Sequence, residues 1–123
     1  MRIIGVSVPV LTANIESATA RYGSLLGEEV KARFVMPGRG LTLALFGNVT
    51  LIGGAERDLA RVKDLRATFT VDSLAEFEAH LRSWGATILQ PPAPTPAGKN
   101  MVVRDVEGLE LELVEPMNRR MTW

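Results

Sequence analysis

Hydrophobic residues along the chain follow one pattern that occurs twice. A strand-like alternation over 3–8 leads into a helical periodicity that ends at Gly27, and a second alternation over 65–71 leads into another that ends at Gly85. Strand-like segments separated by turn residues follow each helical stretch. The chain therefore reads as two related β-α-β-β-β units of about sixty residues, an internal repeat that restricts the possible folds more than any single residue does.

Capping residues mark the ends of both predicted helices. Thr12 or Asn14 can cap the first helix, and Gly27 can end it because glycine accepts the left-handed conformation found at many helix C-termini. Ser73 and Glu76, three residues apart, form a capping box at the start of the second helix. Two helices of ordinary length are predicted from these signals.

The remaining segments predict strands and define the boundaries of the two units. The predicted strands that follow the helices are 29–35, 41–46, 49–52, 87–90, 101–104 and 109–114. We interpret the proline-rich segment 91–98 as a loop, because proline has no N–H to donate within a sheet. The boundaries place module one at 1–54, a charged connector at 55–63, module two at 64–116 and a tail at 117–123, all within a single domain.

Alternation of residues along three of the predicted strands separates an apolar face of the sheet from a mixed face that carries small, hydroxylated and charged side chains. On the fifth predicted strand, Arg66 and Thr68 point to the face opposite their apolar neighbours. On the last strand, Glu110 and Glu112 point to the face opposite the leucines. The apolar face is expected to pack on the helices. The mixed face is either the solvated side of an antiparallel sheet or, as the repeat favours, the lining of a cleft between two curved mixed sheets. The predicted fold class is α+β, with the helices on the outer faces.

Composition excludes several classes of function. The 14 basic residues balance the 14 acidic ones without a block of either sign, so a nucleic-acid partner is not expected. The absence of cysteine excludes disulfides and thiolate chemistry. No apolar run is long enough to span a bilayer, and the N-terminus lacks the pattern of a signal peptide. We therefore expect a cytoplasmic protein that does not bind membranes.

Several short motifs, in order along nearly the whole chain, resemble the vicinal oxygen chelate superfamily. This superfamily includes glyoxalase I, bleomycin-resistance proteins, fosfomycin-resistance enzymes and extradiol dioxygenases. The resemblance implies two βαβββ modules that form a cleft, and usually a homodimer. The matching segments are 6–9 before the first helix, 22–27 at its end, 84–86 after the second helix and 103–115 at the close of the last unit.

Metalloenzymes of this superfamily hold a divalent ion with His and Glu residues on the first and last strands of each module. The resemblance places Ile3, Leu51, Arg66 and Glu112 at those four positions. Two aliphatic side chains provide no lone pairs, Arg66 is a permanent cation, and a single carboxylate does not hold a metal in such a site. We therefore predict neither a metal nor another cofactor. The single histidine, His80, is expected at a surface or boundary position of the second helix.

Seven residues are predicted to line a ligand site. Arg66 either forms an ion pair with Glu112 in place of the metal or anchors an acidic or polar group of a ligand. Glu110 and Glu112 are candidate carboxylates, although no partner nucleophile or histidine completes a catalytic set. The other members share a polar face or are expected to supply apolar contacts: Thr68, Ser7, Phe46 and Met101.

Two functions follow from this interpretation. The first is a metal-free protein of the bleomycin-resistance type, which sequesters a small organic molecule such as an antibiotic in a cleft of a homodimer. The alternative is a glyoxalase- or dioxygenase-like lyase or isomerase, either metal-free or with its metal ligands at other positions. The binding function is preferred because the sequence offers a possible anchor but no complete catalytic set.

Overall fold

The computed structural model describes residues 1–117 and divides the chain into two compact units. One unit contains residues 7–64, and the other contains residues 1–6 together with the described residues from Leu65 onward. The predicted tail lies outside the described residues beyond Met117. No helix in the described part of the chain is long and apolar enough to cross a membrane.

Module one forms a four-stranded mixed sheet. Its strands lie in the order β2-β3-β4-β1, in which β1 pairs in parallel with β4 and the other neighbours are antiparallel. The boundary between the two units falls within β1, after Val6. The elements are β1 (Ile3–Thr12), α1 (Ile15–Leu26), β2 (Ala32–Met36), β3 (Leu41–Leu45), β4 (Val49–Gly53) and the short α2 (Glu56–Leu59) in the connector.

Module two repeats this arrangement. Its strands lie in the order β6-β7-β8-β5, in which β5 pairs in parallel with β8 and the other neighbours are antiparallel. The elements are β5 (Leu65–Val71), α3 (Leu74–Ser83), β6 (Thr87–Thr95), β7 (Gly98–Arg104) and β8 (Glu110–Pro116). The predicted α+β class and the two β-α-β-β-β modules are confirmed.

The capping residues fix the helix ends as predicted. The Asn14 side chain accepts a hydrogen bond from the Ser17 N–H, and Ser73 accepts one from Glu76 in the same way. Gly27 ends α1 in the left-handed conformation, with φ of 66°. Local side-chain chemistry therefore determines where both helices begin, because each cap satisfies a backbone N–H that has no partner within the helix.

Residues 91–95 of the proline-rich segment belong to a strand, so their prediction as part of a loop is wrong, whereas 96–97 form a turn. Strand β6 continues through Pro91, Pro92 and Pro94 to Thr95. Among the described residues it lies at the edge of its sheet and pairs with β7 alone, with irregular register around Gln90. An edge strand can accommodate proline because one side of its backbone needs no hydrogen-bonded neighbour.

Each helix packs on one face of the sheet in its own module. In module one the core under α1 is built around Ala18, Ala44 and Leu51. In module two the core under α3 contains buried residues from three strands and the helix: Val71, Leu74, Leu81, Met101, Val103, Leu111 and Leu113. A third cluster, around Met36, Leu41 and Ile52, packs against Leu59 of α2. These cores leave the face of the module-two sheet opposite α3 to polar side chains.

Candidate functional site

Four polar side chains form a hydrogen-bonded group on the face of the module-two sheet opposite α3. Glu112 of β8 pairs with Thr68 of β5 on one side and with Val102 of β7 on the other, and Val102 also pairs with Gln90 of β6. Paired residues share a face of a sheet and lie about 5 Å apart. Asn100 lies on the same face as Val102, two residues earlier along β7. We call Gln90, Asn100, Glu112 and Thr68 the Glu112 cluster.

Hydrogen bonds hold the Glu112 carboxylate from both sides. Thr68 Oγ1 donates to Glu112 Oε1 at 3.1 Å, and Asn100 Nδ2 donates to Oε2 at 2.9 Å. Gln90 Nε2 in turn donates to Asn100 Oδ1 at 2.9 Å. Thr68 and Asn100 are buried, at 8% and 2% exposure, whereas Glu112 and Gln90 are half-buried. The cluster is therefore a rigid carboxylate on a buried support.

Arg66 lies at an irregularity in β5 rather than opposite Glu112. Leu65 pairs with Glu110 and Ala67 pairs with Leu111, so Arg66 is an extra residue without a partner position on β8. Such a bulge redirects side chains relative to the regular alternation. Arg66 is exposed. Both predicted roles of Arg66, an ion pair with Glu112 and an anchor for a ligand, stay predictions.

Glu110 has a different environment from Glu112, although the two lie on one strand and one face. Its Oε2 accepts a hydrogen bond from Arg104 at 3.1 Å, which forms an ion pair between neighbouring strands. Arg104 is 48% exposed, so solvent screens this pair. Glu110 is therefore a partner of Arg104 and lies outside the Glu112 cluster.

Ser7 belongs to module one and makes a buried hydrogen bond there. Its Oγ lies 2.7 Å from Thr50 Oγ1, and the two side chains are 6% and 4% exposed. Ser7 is on β1 and Thr50 is on β4, the first and last strands of the module. This hydroxyl pair connects those two strands.

The two predicted apolar site residues lie in the helix-facing cores, so their placement in a cleft is wrong. Phe46 is 1% exposed and packs with Ala18 beneath α1. Met101 is fully buried in the core under α3. For Met101 the reason is strand parity, because it is adjacent to Asn100 and therefore points to the opposite face of β7. Phe46 follows the last residue of β3, where strand alternation no longer determines its direction.

The residues present do not fit the divalent metal of the superfamily's enzymes. Leu51 is buried under α1, and Ile3 lines an apolar cavity beside α3. Both oxygens of Glu112 accept hydrogen bonds from neutral side chains, and Asn100 directs its nitrogen rather than its oxygen at the carboxylate. Within residues 1–117 no three His, Cys, Asp or Glu residues gather closely enough to hold a metal ion.

A cavity of about 250 Å³ lies on the other face of the same sheet, beside α3. Its walls are mostly apolar, and His80 and Asp105 are the ionisable side chains that line it. His80 is exposed and contacts the ring of Trp84 edge-on. Asp105 accepts hydrogen bonds from two backbone N–H groups of its own turn, at Glu107 and Leu109. The polar chemistry of module two is therefore concentrated in the Glu112 cluster rather than in this cavity.

Two members of the cluster, Gln90 and Asn100, are absent from the predicted site. Asn100 is adjacent to the predicted strand 101–104, and Gln90 immediately precedes the first of the prolines. An extension of the alternation of β7 by one residue would have placed Asn100 on the face of Val102. No comparable signal exists for Gln90, because its contact depends on the register of β6 against β7.

Solved structures resemble this chain over nearly its whole length. An uncharacterised protein from Methanosarcina mazei is 34% identical, with a TM-score of 0.90 and 100% of both chains covered. Methylmalonyl-CoA epimerase from Mycobacterium tuberculosis is 18% identical, with a TM-score of 0.79, and the match covers 96% of this chain and 91% of that one.

A Streptomyces coelicolor methylmalonyl-CoA epimerase in complex with 2-nitronate-propionyl-CoA is 16% identical, with a TM-score of 0.77 over 94% of this chain and 96% of that one. At such low identity the two epimerases show a shared fold alone. No protein-family model matches the chain, and no curated protein matches it at a significant level.

Proposed function

Because this chain belongs to the vicinal oxygen chelate superfamily, we propose that it binds a small organic molecule without a metal ion, with Glu112 as the anchor. The observation that carries this proposal is the pair of hydrogen bonds that Glu112 accepts from Thr68 and Asn100. The resemblance assigns Glu112 to a metal-binding position. In this structure two hydrogen-bond donors lie beside its carboxylate. They orient the carboxylate for a ligand.

The chemistry of the cluster favours binding over catalysis. Acid–base catalysis needs groups that exchange protons near neutral pH, placed within reach of the substrate. Threonine, asparagine and glutamine side chains do not exchange protons in that range, so Glu112 is the sole ionisable member of the cluster. A rigid carboxylate on a buried support is suited to recognition, because little conformational entropy is lost when a ligand binds. Sequestration of a compound such as an antibiotic, a homodimer and a cytoplasmic location belong to the same proposal.

A thermal-shift screen of natural-product antibiotics and metabolites tests the proposal, followed by calorimetric titration of the ligands it finds. Glu112→Gln should weaken binding at least tenfold, since a hydrogen bond to a charged group contributes about 1.5–3 kcal/mol. Glu110→Gln is the matched control, because it removes a carboxylate two residues away on the same strand. The affinity of Glu110→Gln for the same ligands should stay within about twofold of the wild type, because this variant removes only a solvent-screened ion pair.

Two results would contradict the proposal. Equal losses in both variants would exclude Glu112 as the anchor. A stoichiometric divalent ion retained by the purified protein, and lost in Glu112→Gln, would show that the site holds a metal.

An isomerase that moves a proton with Glu112 is the second candidate, supported by the fold shared with two methylmalonyl-CoA epimerases. Incubation of this chain with methylmalonyl-CoA in D₂O, with NMR detection of deuterium at the carbon between the two carbonyls, distinguishes the candidates. Binding without catalysis predicts exchange at the uncatalysed rate. Accelerated exchange that disappears in Glu112→Gln would establish the isomerase instead.

A further inference from the structure

We infer that the Glu112 cluster presents hydrogen-bond acceptors and therefore selects ligands that carry a donor group, an amine or a hydroxyl, over ligands that carry a carboxylate. This inference rests on the proposed function, since it concerns the ligand of the same site. It follows from the direction of the hydrogen bonds in the cluster. That direction is determined at both ends of the chain of contacts from Gln90 to Glu112.

The first end is the backbone beside Gln90. Besides its bond to Asn100 Oδ1, Gln90 Nε2 lies 3.4 Å from the carbonyl oxygen of Pro91 and 3.4 Å from that of Asn100. Carbonyl oxygens can only accept, so the amide group of Gln90 must direct its nitrogen toward them. The same nitrogen faces Asn100 Oδ1, which turns the nitrogen of Asn100 toward Glu112.

The second end is the Glu112 carboxylate, which as an anion can only accept. Asn100 in the opposite orientation would set its oxygen against the carboxylate and its nitrogen against that of Gln90. Both contacts would be repulsive. The two ends therefore require the same orientation of Asn100, and every bond in the chain points from Gln90 toward Glu112.

The donors of the cluster are consequently used within it. Both nitrogen groups and the Thr68 hydroxyl donate to neighbouring acceptors. The second N–H of Asn100 belongs to a side chain that is 2% exposed, so it cannot reach a ligand at the surface. The two half-buried members, Gln90 and Glu112, offer an amide oxygen and a carboxylate. An amine or hydroxyl can donate to these oxygens, whereas a carboxylate would meet like charge.

Three small molecules that share a phenyl ring and differ in their single polar group test the inference: 2-phenylethylamine, 2-phenylethanol and phenylacetate. Each is titrated into ¹⁵N-labelled protein, and the backbone amide shifts of Thr68, Asn100 and Glu112 are followed by NMR. 2-Phenylethylamine should bind at least tenfold more tightly than phenylacetate, with 2-phenylethanol between them. Glu112→Gln should reduce that ratio below about threefold, whereas Glu110→Gln should retain it.

The outcomes separate this inference from the proposed function. If phenylacetate binds as tightly as 2-phenylethylamine or more tightly, and its binding depends on Glu112, the selectivity is wrong while Glu112 remains the anchor. If neither these molecules nor the ligands from the thermal-shift screen require Glu112, the proposed function fails and the inference with it.

The role of Gln90 as a positioning residue has its own readout. Gln90→Met keeps the length of the side chain but removes the donor that orients Asn100. Hydrogen exchange of the Asn100 side-chain amide should become at least tenfold faster, and the ratio of the affinity for 2-phenylethylamine to that for phenylacetate should fall at least threefold. Unchanged exchange and an unchanged ratio, in a variant with a wild-type backbone spectrum, would show that Gln90 does not set the direction.

Discussion

Thr68→Val isolates one of the two hydrogen bonds that hold Glu112. The substitution preserves the branched shape of the side chain and replaces a hydroxyl that is 3.1 Å from Glu112 Oε1. A hydrogen bond to a charged group contributes about 1.5–3 kcal/mol. Thr68 is 8% exposed, so the new methyl group recovers about 0.8 kcal/mol through burial. We expect the free energy of unfolding to fall by about 1–2 kcal/mol.

Thr50→Val is the matched control for this measurement. Thr50 is also buried, and its hydroxyl also bonds to a side chain on the neighbouring strand, the Ser7 hydroxyl at 2.7 Å. That bond joins two neutral groups, which contribute about 0.5–1.5 kcal/mol. Burial of the new methyl group offsets part of this loss, so the free energy of unfolding should fall by less than about 1 kcal/mol. Urea unfolding followed by circular dichroism gives both values under the same conditions.

The charge on Glu112 accounts for the expected difference, and a double-mutant cycle tests it. Combined with Glu112→Gln, Thr68→Val should cost no more than Thr50→Val, because the remaining hydrogen bond is neutral. The reasoning is refuted if Thr68→Val is as mild as Thr50→Val in the wild-type background. It is also refuted if the cost of Thr68→Val is the same with and without the Glu112 carboxylate.

Two further predictions concern the structural frame. Hydrogen bonds from Arg33 lower the pKa of Glu16 below its ordinary value of 4.5. The stabilisation of the fold by this pair is therefore fully present above pH 4.5 and is lost as the pH falls through the lowered pKa. Arg33→Gln should return the pKa toward 4.5 in a carboxyl NMR titration, and an unchanged titration would exclude the pair in solution. Gly38 and Gly98 both have positive φ, so replacing either by alanine should lower the free energy of unfolding. Gly38→Ala should cost about 1–2 kcal/mol in urea unfolding. Gly98→Ala should cost more, because a Cβ at Gly98 would also lie 2.1 Å from the Glu115 carbonyl oxygen. Equal costs would contradict that clash.

Helix ends could be predicted from the sequence because the signals are local. Asn14 and Ser73 accept hydrogen bonds from residues three positions later, and Gly27 adopts its conformation without reference to the rest of the chain. The internal repeat also predicted the order of helix and strands along each module. Since both modules place their first strand beside their last, identification of one module predicts the topology of the other.

Side-chain direction was harder to predict, because it depends on pairing between distant segments. The bulge at Arg66 shifts β5 by one residue against β8, and nothing in the residues around it marks an irregularity. Strand β6 accommodates three prolines because it lies at an edge, and its position in the sheet is a property of the tertiary structure. Alternation gives correct faces within a regular strand and fails where register changes.

The candidate site was predictable to the same extent. Glu112 and Thr68 lie on regular stretches of β8 and β5, and alternation placed both on the mixed face. Phe46 lies just beyond β3, where alternation no longer applies, and it packs under α1 instead. Gln90 and Asn100 reach the site through the pairing of β6 with β7, ten residues apart, which no local motif encodes.

The duplicated modules provide an internal comparison that supports a distinct role for the Glu112 cluster. In each module a hydroxyl on the first strand bonds to a side chain on the last strand: Ser7 to Thr50 in one, and Thr68 to Glu112 in the other. The first pair is neutral and needs no further partner, so it is explained by the connection of two strands. The second pair contains a charge, whose burial is costly unless hydrogen bonds compensate it. Asn100 of β7 donates a further hydrogen bond to the charge, and Gln90 of β6 donates to Asn100 and orients it. A connection between β5 and β8 alone requires neither the charge nor its support, so the larger polar arrangement of module two is better explained by recognition of a ligand.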